Sequence, residues 1–530
     1  MQKQDTRKRQ GVQATINRRD FLLQSAAVGL AVGASSASLG KPARAETPKK
    51  GGHLRLGSSH GSTTDSLDPA TSSNDLMTSV FYTAYSQLTE VNAKGELEPL
   101  LAESISVSDD AVTWTFDLRK GIEFHNGKPF GADDVIATMN HHRGEDSKSV
   151  MNSIANQIAE MSKDGDHRVV FKLQQGNADF PFLLSATQFG VMPATDGKVD
   201  PLAGVGTGAY AIKSFEPGVR IEYARNPNFF KPDRAYFDTA EVLVIADPVA
   251  RQTALISGEI DVMDRVELKT VNLLEKQPGV QVVDVAGTLH YTFPMRTDTP
   301  PFDNNDVRLA LKYAVDREDL LQKILRGYGT LGNDHPISPA NPYHASGLEQ
   351  RVYDPDKAKF HMKKAGLSEL NVDLSAADAG FPGAVDAATL YQAHAKKAGI
   401  NINVAREPND GYWSNVWMKK PWCAAYWSGR PTEDWMFTDA YSVESNWNDS
   451  FWKDERFNRL LKEARATLDP GKRGEMYAEM QTLVRDQGGV VIPMFANHVL
   501  AHSDKLAHDE HVAGNWDKDG GKLLERWWFA

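Results

Sequence analysis

A single cysteine, Cys423, sets the first limit on what this 530-residue chain can fold into. No internal disulfide can form, so stability must come from a large buried core rather than from covalent staples. The composition meets that demand, with 41% hydrophobic and 24% charged residues. At roughly 100–200 residues per domain, the length fits two to four domains. Cys423 itself, next to Trp422, reads as a small buried hydrophobe.

Periodicity places strands first and helices later. Residues 112–119, VTWTFDLR, alternate strictly, with Val112, Trp114, Phe116 and Leu118 on one face, which predicts a half-buried strand. HLRLG at 53–57, HRVVFKL at 167–173 and GAYAIKSF at 208–215 read the same way. After the cap-like run 303–306, apolar residues at Val307, Ala310, Leu311, Ala314, Val315 and Ile324 predict one helix ending at Gly327. A helical pair is expected over 455–468 and 472–486, broken at Pro470. The aromatic terminus LLERWWFA should dock. Without regular βαβ alternation, the class is α/β or α+β.

The first 45 residues differ from the rest. A basic start (Arg7, Lys8, Arg9), the pair Arg18-Arg19 ahead of Phe21, a small-residue apolar run and Ala43-Arg44-Ala45 form an export-signal pattern with an A-x-A cleavage site. The adjacent arginines resemble a twin-arginine signal, so the mature chain is expected to begin near Glu46 and to be soluble in the periplasm. The apolar run falls short of the roughly 20 residues a membrane span needs. A net charge of −11 argues against nucleic acid, whose phosphates call for a basic surface.

Catalytic patterns fail on context. GSSHG (57–61) matches the G-x-S-x-G nucleophile elbow, which needs a strand-turn-helix. Here STTDSLDPA follows with no helical period, so Ser59 and His60 read as part of a ligand-contacting loop, with an exported serine hydrolase as the remote alternative. GVGTG (204–208) is followed by a strand, so no helix N-terminus is offered to a phosphate, and a tight chain crossing is expected. His141-His142 are adjacent on a helix and do not share a face. No Cys/His cluster has metal-ligand spacing. Neither cofactor nor metal is expected.

Seven segments occur in an order that resembles the extracytoplasmic solute-binding proteins of the peptide/nickel ABC-importer family. They are GGHLRLG, the Ser/Thr-rich loop that follows it, residues 100–135 (LLAESISVSDDAVTWTFDLRKGIEFHNGKPFGADDV), GTGAYAIKSFEPGVRIEYARNPNFF, RQTALISGEIDV, PPFDNNDVRLALKYAVDREDL and YDPDKAKFHMKKAG. The likeness runs from about Gly51 to about Leu506. It implies a two-lobed α/β protein of the type II-like, cluster C kind: lobe I at 46–92, 205–290 and 499–530, an inserted domain at 93–204, and a further lobe at 291–498. It also implies a non-enzymatic monomer that captures a small-molecule ligand between lobes and hands it to membrane permease subunits.

Within that resemblance, dipeptide binders follow W-S-G with an aspartate that pairs with the ligand's ammonium group. Here Trp427-Ser428-Gly429 is followed by Arg430, an inversion of charge that favours a carboxylate, since a guanidinium grips carboxylates bidentately. A surface pair of Arg430 with Glu433 or Asp434 is the bland alternative. In YTFPMR (291–296), Pro294 and Met295 stand where relatives carry asparagine. The expected ligand set is Arg430, Trp427, Ser428, Gly429, Trp435, Trp413, Trp447, Tyr291, Phe293, Ser59 and His60. The expected ligand is a small carboxylated organic solute or peptide-like compound; a true dipeptide or oligopeptide and a chelated metal are the alternatives.

Overall fold

Strand His53–Ser58 is the middle of a seven-stranded sheet, with Leu54 and Leu56 buried on its inner face. In this computed structural model, which describes residues 14–16, 48–72, 74–430 and 432–530, it pairs in parallel with Thr239–Val244 and Val262–Met263. The antiparallel hairpin Tyr210–Glu216 and Arg220–Arg225 extends one edge, and His498–Ser503 with Val280–Val285 extends the other. The C-terminal aromatics dock on this lobe: Trp527 and Trp528 are buried, and Trp528–Phe529 pairs with Leu506–Ala507. Arg18-Arg19 and Ala43-Arg44-Ala45 lie outside the described residues. Among the described residues no helix is long and apolar enough to cross a membrane.

The predicted strand at 112–119 appears as Thr113–Leu118, with Trp114, Phe116 and Leu118 buried as the alternation requires. It lies in an antiparallel sheet between Ala102–Val107 and Arg168–Leu173, with Ile158–Lys163 beyond and Ala14–Ile16 paired to the opposite edge. This inserted domain has its own aromatic core, in which the rings of Phe116, Phe171 and Phe180 meet edge to face. The glycines of GVGTG do mark a tight crossing. A Cβ on Gly206 would lie 2.2 Å from the Ala84 carbonyl oxygen, and one on Gly208 would lie 2.4 Å from that of Thr83.

The other lobe is built on a sheet in the order Gly329–Leu331, Val490–Ala496, His290–Pro294, Ala425–Trp427. The parallel pair Leu370–Ala376 and Ile400–Arg406 joins it through a bridge between Ser375 and Cys423. Cys423 is buried, and burial raises its thiol well above the ordinary value, so it is an inert core residue. The single helix expected over 303–327 is instead two, Asn305–Tyr313 and Arg317–Ile324, because Asp316 caps the second by accepting from Asp319 N. The later pair forms as Glu455–Ala466 and Pro470–Gln487, and Pro470 opens the second helix rather than merely separating the two.

Two adjacent chain crossings join the lobes. Val285 pairs with His498 in the first sheet and His290 with Phe495 in the second, leaving only residues 286–289 and Asn497 between them. The crossings are tied together by Ala496 N donating to the Leu289 carbonyl at 2.8 Å.

Candidate functional site

The edge strand Ala425–Trp427 delivers Ser428, Gly429 and Arg430 to the space between lobes. Gly429 is required there, because a Cβ would fall 1.5 Å from Thr288 Oγ1. Thr432 then caps helix Glu433–Tyr441 by accepting from Trp435 N. On that helix Trp435 and Asp439 stand four residues apart and share a face. The side chain of Arg430, 15% exposed, turns toward that face: its Nε donates to Asp439 Oδ2 at 2.8 Å and one Nη to the Ser428 carbonyl at 3.1 Å. Its guanidinium carbon stands 5.8 Å from each of the Trp427 and Trp435 ring centres.

Arg430 therefore does not pair with Glu433 or Asp434. Asp434 is taken by Arg465 at 3.1 Å, and Glu433 accepts from Tyr343 N at 2.8 Å. Both face inward from the first turn of their helix, and burial pushes Glu433 up to about 7.

Arg430 and Asp439 line a cleft of about 750 Å³ whose walls come from all three parts of the chain. Asn74 and Asp75 enter from the first lobe, Gln188 from the inserted domain, and Ser428, Trp435 and Trp447 from the second lobe. Trp447 is 53% exposed, whereas Trp427 lies beneath the site at 7%. Trp427 is held by an Nε1 bond to Asp449 Oδ2 at 3.1 Å, an atom that also accepts from Trp417 Nε1 at 3.1 Å. Burial pushes Asp449 up to about 6, against the two indole bonds that favour its ionised form.

The remaining expected residues do not line this cleft. Phe293 is wholly buried in the core, and Tyr291 stacks on Phe381 with ring centres 4.3 Å apart. Trp413, 41% exposed, packs edge-on against Tyr426 at 5.5 Å and Trp417 at 5.7 Å. Ser59 Oγ lies 3.0 Å from His60 Nδ1, but among the described residues no carboxylate hydrogen-bonds His60. Turns and bends, not a helix, follow Gly61. The arrangement required of a nucleophile elbow is missing. Burial, with help from the charge of Arg265, brings His60 down to about 4.

Sequence reasoning passed over Asp439, Asp75, Arg265 and Asp449. Asp439 carried a usable signal, its four-residue spacing from Trp435. Asp75 and Arg265 are ion-paired across 190 residues, with Arg265 at a φ of 44°, and nothing local announces them. His141 and His142 bond separately to Asp68 and Ser149, and among the described residues no group of metal-ligand type is gathered.

Two lobes joined by paired strands, with a mixed polar and aromatic cleft between them, define a ligand-capture protein of the periplasmic-binding type. The chain belongs to the bacterial extracellular solute-binding proteins, family 5, whose middle-region profile matches residues 96–449. It is 27% identical over 472 residues to "Di/tripeptide-binding protein 1" of Pseudomonas aeruginosa, covering 81% of this chain and 86% of that one. Among solved structures, HbpA2 from Haemophilus parasuis superposes with a TM-score of 0.80 at 19% identity, over 90% of this chain and all of that one. AgaA from A. tumefaciens R10, in complex with agropinic acid, gives 0.74 at 21% identity, over 90% and 99%. These likenesses carry the two-lobed α/β fold with its inserted domain.

Proposed function

We propose that this chain is the exported, non-enzymatic substrate-binding component of an ABC importer, and that it captures a small carboxylated organic solute for a membrane permease. The observation that carries the reading is Arg430: a largely buried guanidinium on the cleft wall, 5.8 Å from two indole ring centres, with its Nη2 making no hydrogen bond among the described residues. Such a group binds carboxylate oxygens in a plane and holds them more strongly as water is excluded.

In this reading the signal precedes Glu46 and the mature protein works as a periplasmic monomer. Lobe I comprises 46–92, 205–290 and 499–530, the inserted domain 93–204, and the remaining lobe 291–498. The two strand crossings at 286–289 and Asn497 act as the hinge, since a few terminal residues of adjacent elements can absorb a lobe rotation. The volume of the cleft falls within the range of small-molecule sites. A thermal-shift screen of a metabolite library finds the ligand, because binding to the native state raises apparent stability by RT ln(1 + [L]/Kd). Scattering with and without the hit then reads lobe closure as a smaller radius of gyration. The reading fails if no carboxylated compound shifts the melting temperature.

A further inference from the structure

Resting on the proposed carboxylate site, we infer that the ligand presents an α-amino-acid-type zwitterion, with its carboxylate on Arg430 and its ammonium on Asp439. The two side chains meet through one bond, Nε to Oδ2 at 2.8 Å. Among the described residues this leaves Arg430 Nη2 and Asp439 Oδ1 without a hydrogen-bond partner, although both residues line the cleft. An acceptor and a donor of opposite charge are thus offered side by side. A carboxylate and an ammonium on one carbon atom match them.

The balance of charge points the same way. The other ionised groups on the cleft walls are already matched: Asp75 with Arg265, Glu444 with Lys462 at 2.9 Å, and Arg465 with Asp434. Arg430 and Asp439 together contribute no net charge. A simple carboxylate would bring one uncompensated negative charge into a partly desolvated site, an arrangement that is expensive unless paired. A zwitterion brings none. The Ser428 carbonyl already accepts from Arg430, and the Gly429 carbonyl beside it lies 3.5 Å from the same Nη, so the rim has further acceptors for ammonium protons. Trp447, largely exposed on the wall, gives the rest of the ligand a flat apolar surface.

The probes are the twenty L-amino acids, their N-acetyl derivatives and their amides, screened at millimolar concentration by thermal shift and then titrated by calorimetry. Wild type is compared with Asp439→Asn and Arg430→Ala. At least one free amino acid should bind, and both N-acetylation and amidation should weaken it by about 30-fold, as removal of one partner of a buried charge pair does. Asp439→Asn keeps an acceptor for Arg430 Nε, so it should weaken the free amino acid by a similar factor while leaving or improving binding of the N-acetyl acid. That reversal is not produced by a merely structural role. If the N-acetyl acids bind wild type as well as the free amino acids do, and Arg430→Ala alone abolishes binding, the carboxylate site stands and the zwitterion inference is overturned. No binding by any free amino acid also overturns it. If Arg430→Ala changes nothing for any binding probe, the underlying carboxylate reading falls as well.

Discussion

Asp179 of the inserted domain and Arg473 of the second lobe form a buried ion pair, Oδ1 to Nη at 2.5 Å, with side chains 3% and 8% exposed. The phenol of Tyr477 accepts from the same guanidinium at 3.2 Å, and nearby Ala178 N donates to the Arg465 carbonyl at 2.7 Å. These contacts clamp the inserted domain against the lobe that carries Arg430. Trp435 reinforces them by packing against the inserted domain's core from across the cleft.

Asp179→Ala should therefore open the cleft. It strands a buried guanidinium, a change that typically costs about 3–5 kcal/mol. The expected outcome is a lower melting temperature and a larger radius of gyration in the unliganded protein, measured by calorimetry and small-angle scattering. An unchanged radius together with an unchanged melting temperature would show that the pair does not hold the lobes together.

Acid should weaken the fold. Burial holds His142, His290 and His502 near 4 and His335 near 3, against about 6.5 in the unfolded chain. Between those values the unfolded state binds more protons, so stability falls as pH drops below about 6.5. Glu433, Asp434 and Asp449, pushed up by burial to about 7, about 6 and about 6, act in the opposite direction, because there the folded state binds more protons. The histidines are more numerous, and the melting temperature at pH 5 should lie below that at pH 7.5. Asp449→Asn keeps an acceptor for both indoles but removes one opposing group. Its advantage over wild type should grow from pH 4 to pH 7, and a pH-independent difference would sink this account.

How much of this was legible in the sequence depended on the distance between cause and effect. Alternation along Thr113–Leu118 is a local property, and its buried face followed directly. The unusual Arg430 was visible because a neighbouring motif fixed its place. Its partner Asp439 was overlooked in favour of Glu433 and Asp434, which are nearer in sequence but turn inward. The break at Asp316 was hidden because apolar spacing continues across it, while a single capping side chain decides where the helix stops. Asp179 with Arg473, 294 residues apart, exists only once the inserted domain meets the second lobe, and Asp75 with Arg265 only once the separate segments of the first lobe are assembled. No local pattern encodes them.

Gly429→Ala tests whether the turn aims Arg430. The added methyl group would overlap Thr288, with its Cβ 1.5 Å from Oγ1 and 2.2 Å from the Thr288 Cβ. Overpacking of this kind destabilises by about 1–3 kcal/mol. Affinity should fall by at least as much as in Arg430→Ala, because the whole Ser428-Gly429-Arg430 turn must shift. Native affinity in Gly429→Ala would mean that the turn does not position the site.

Processing is open to a direct check. Protein recovered from the periplasm should begin at or near Glu46, and changing Arg18 and Arg19 together to Lys should retain it in the cytoplasm. Mass spectrometry of the amino terminus decides this, and an intact Met1 on periplasmic protein would contradict the export signal.

The most direct test of the site is calorimetric titration of wild type, Arg430→Ala and Arg430→Lys against the best carboxylated hit and its amide. Loss of a desolvated charge partner is worth about 2–5 kcal/mol, so Arg430→Ala should bind the acid roughly 30-fold or more weakly, at 1.4 kcal/mol per tenfold. Arg430→Lys should recover only part of the loss, since an ammonium lacks the planar fork, and the amide should be nearly indifferent to both changes. Binding of the acid by Arg430→Ala within about threefold of wild type, well under 1.4 kcal/mol, would make Arg430 a bystander held by Asp439 and contradict the account.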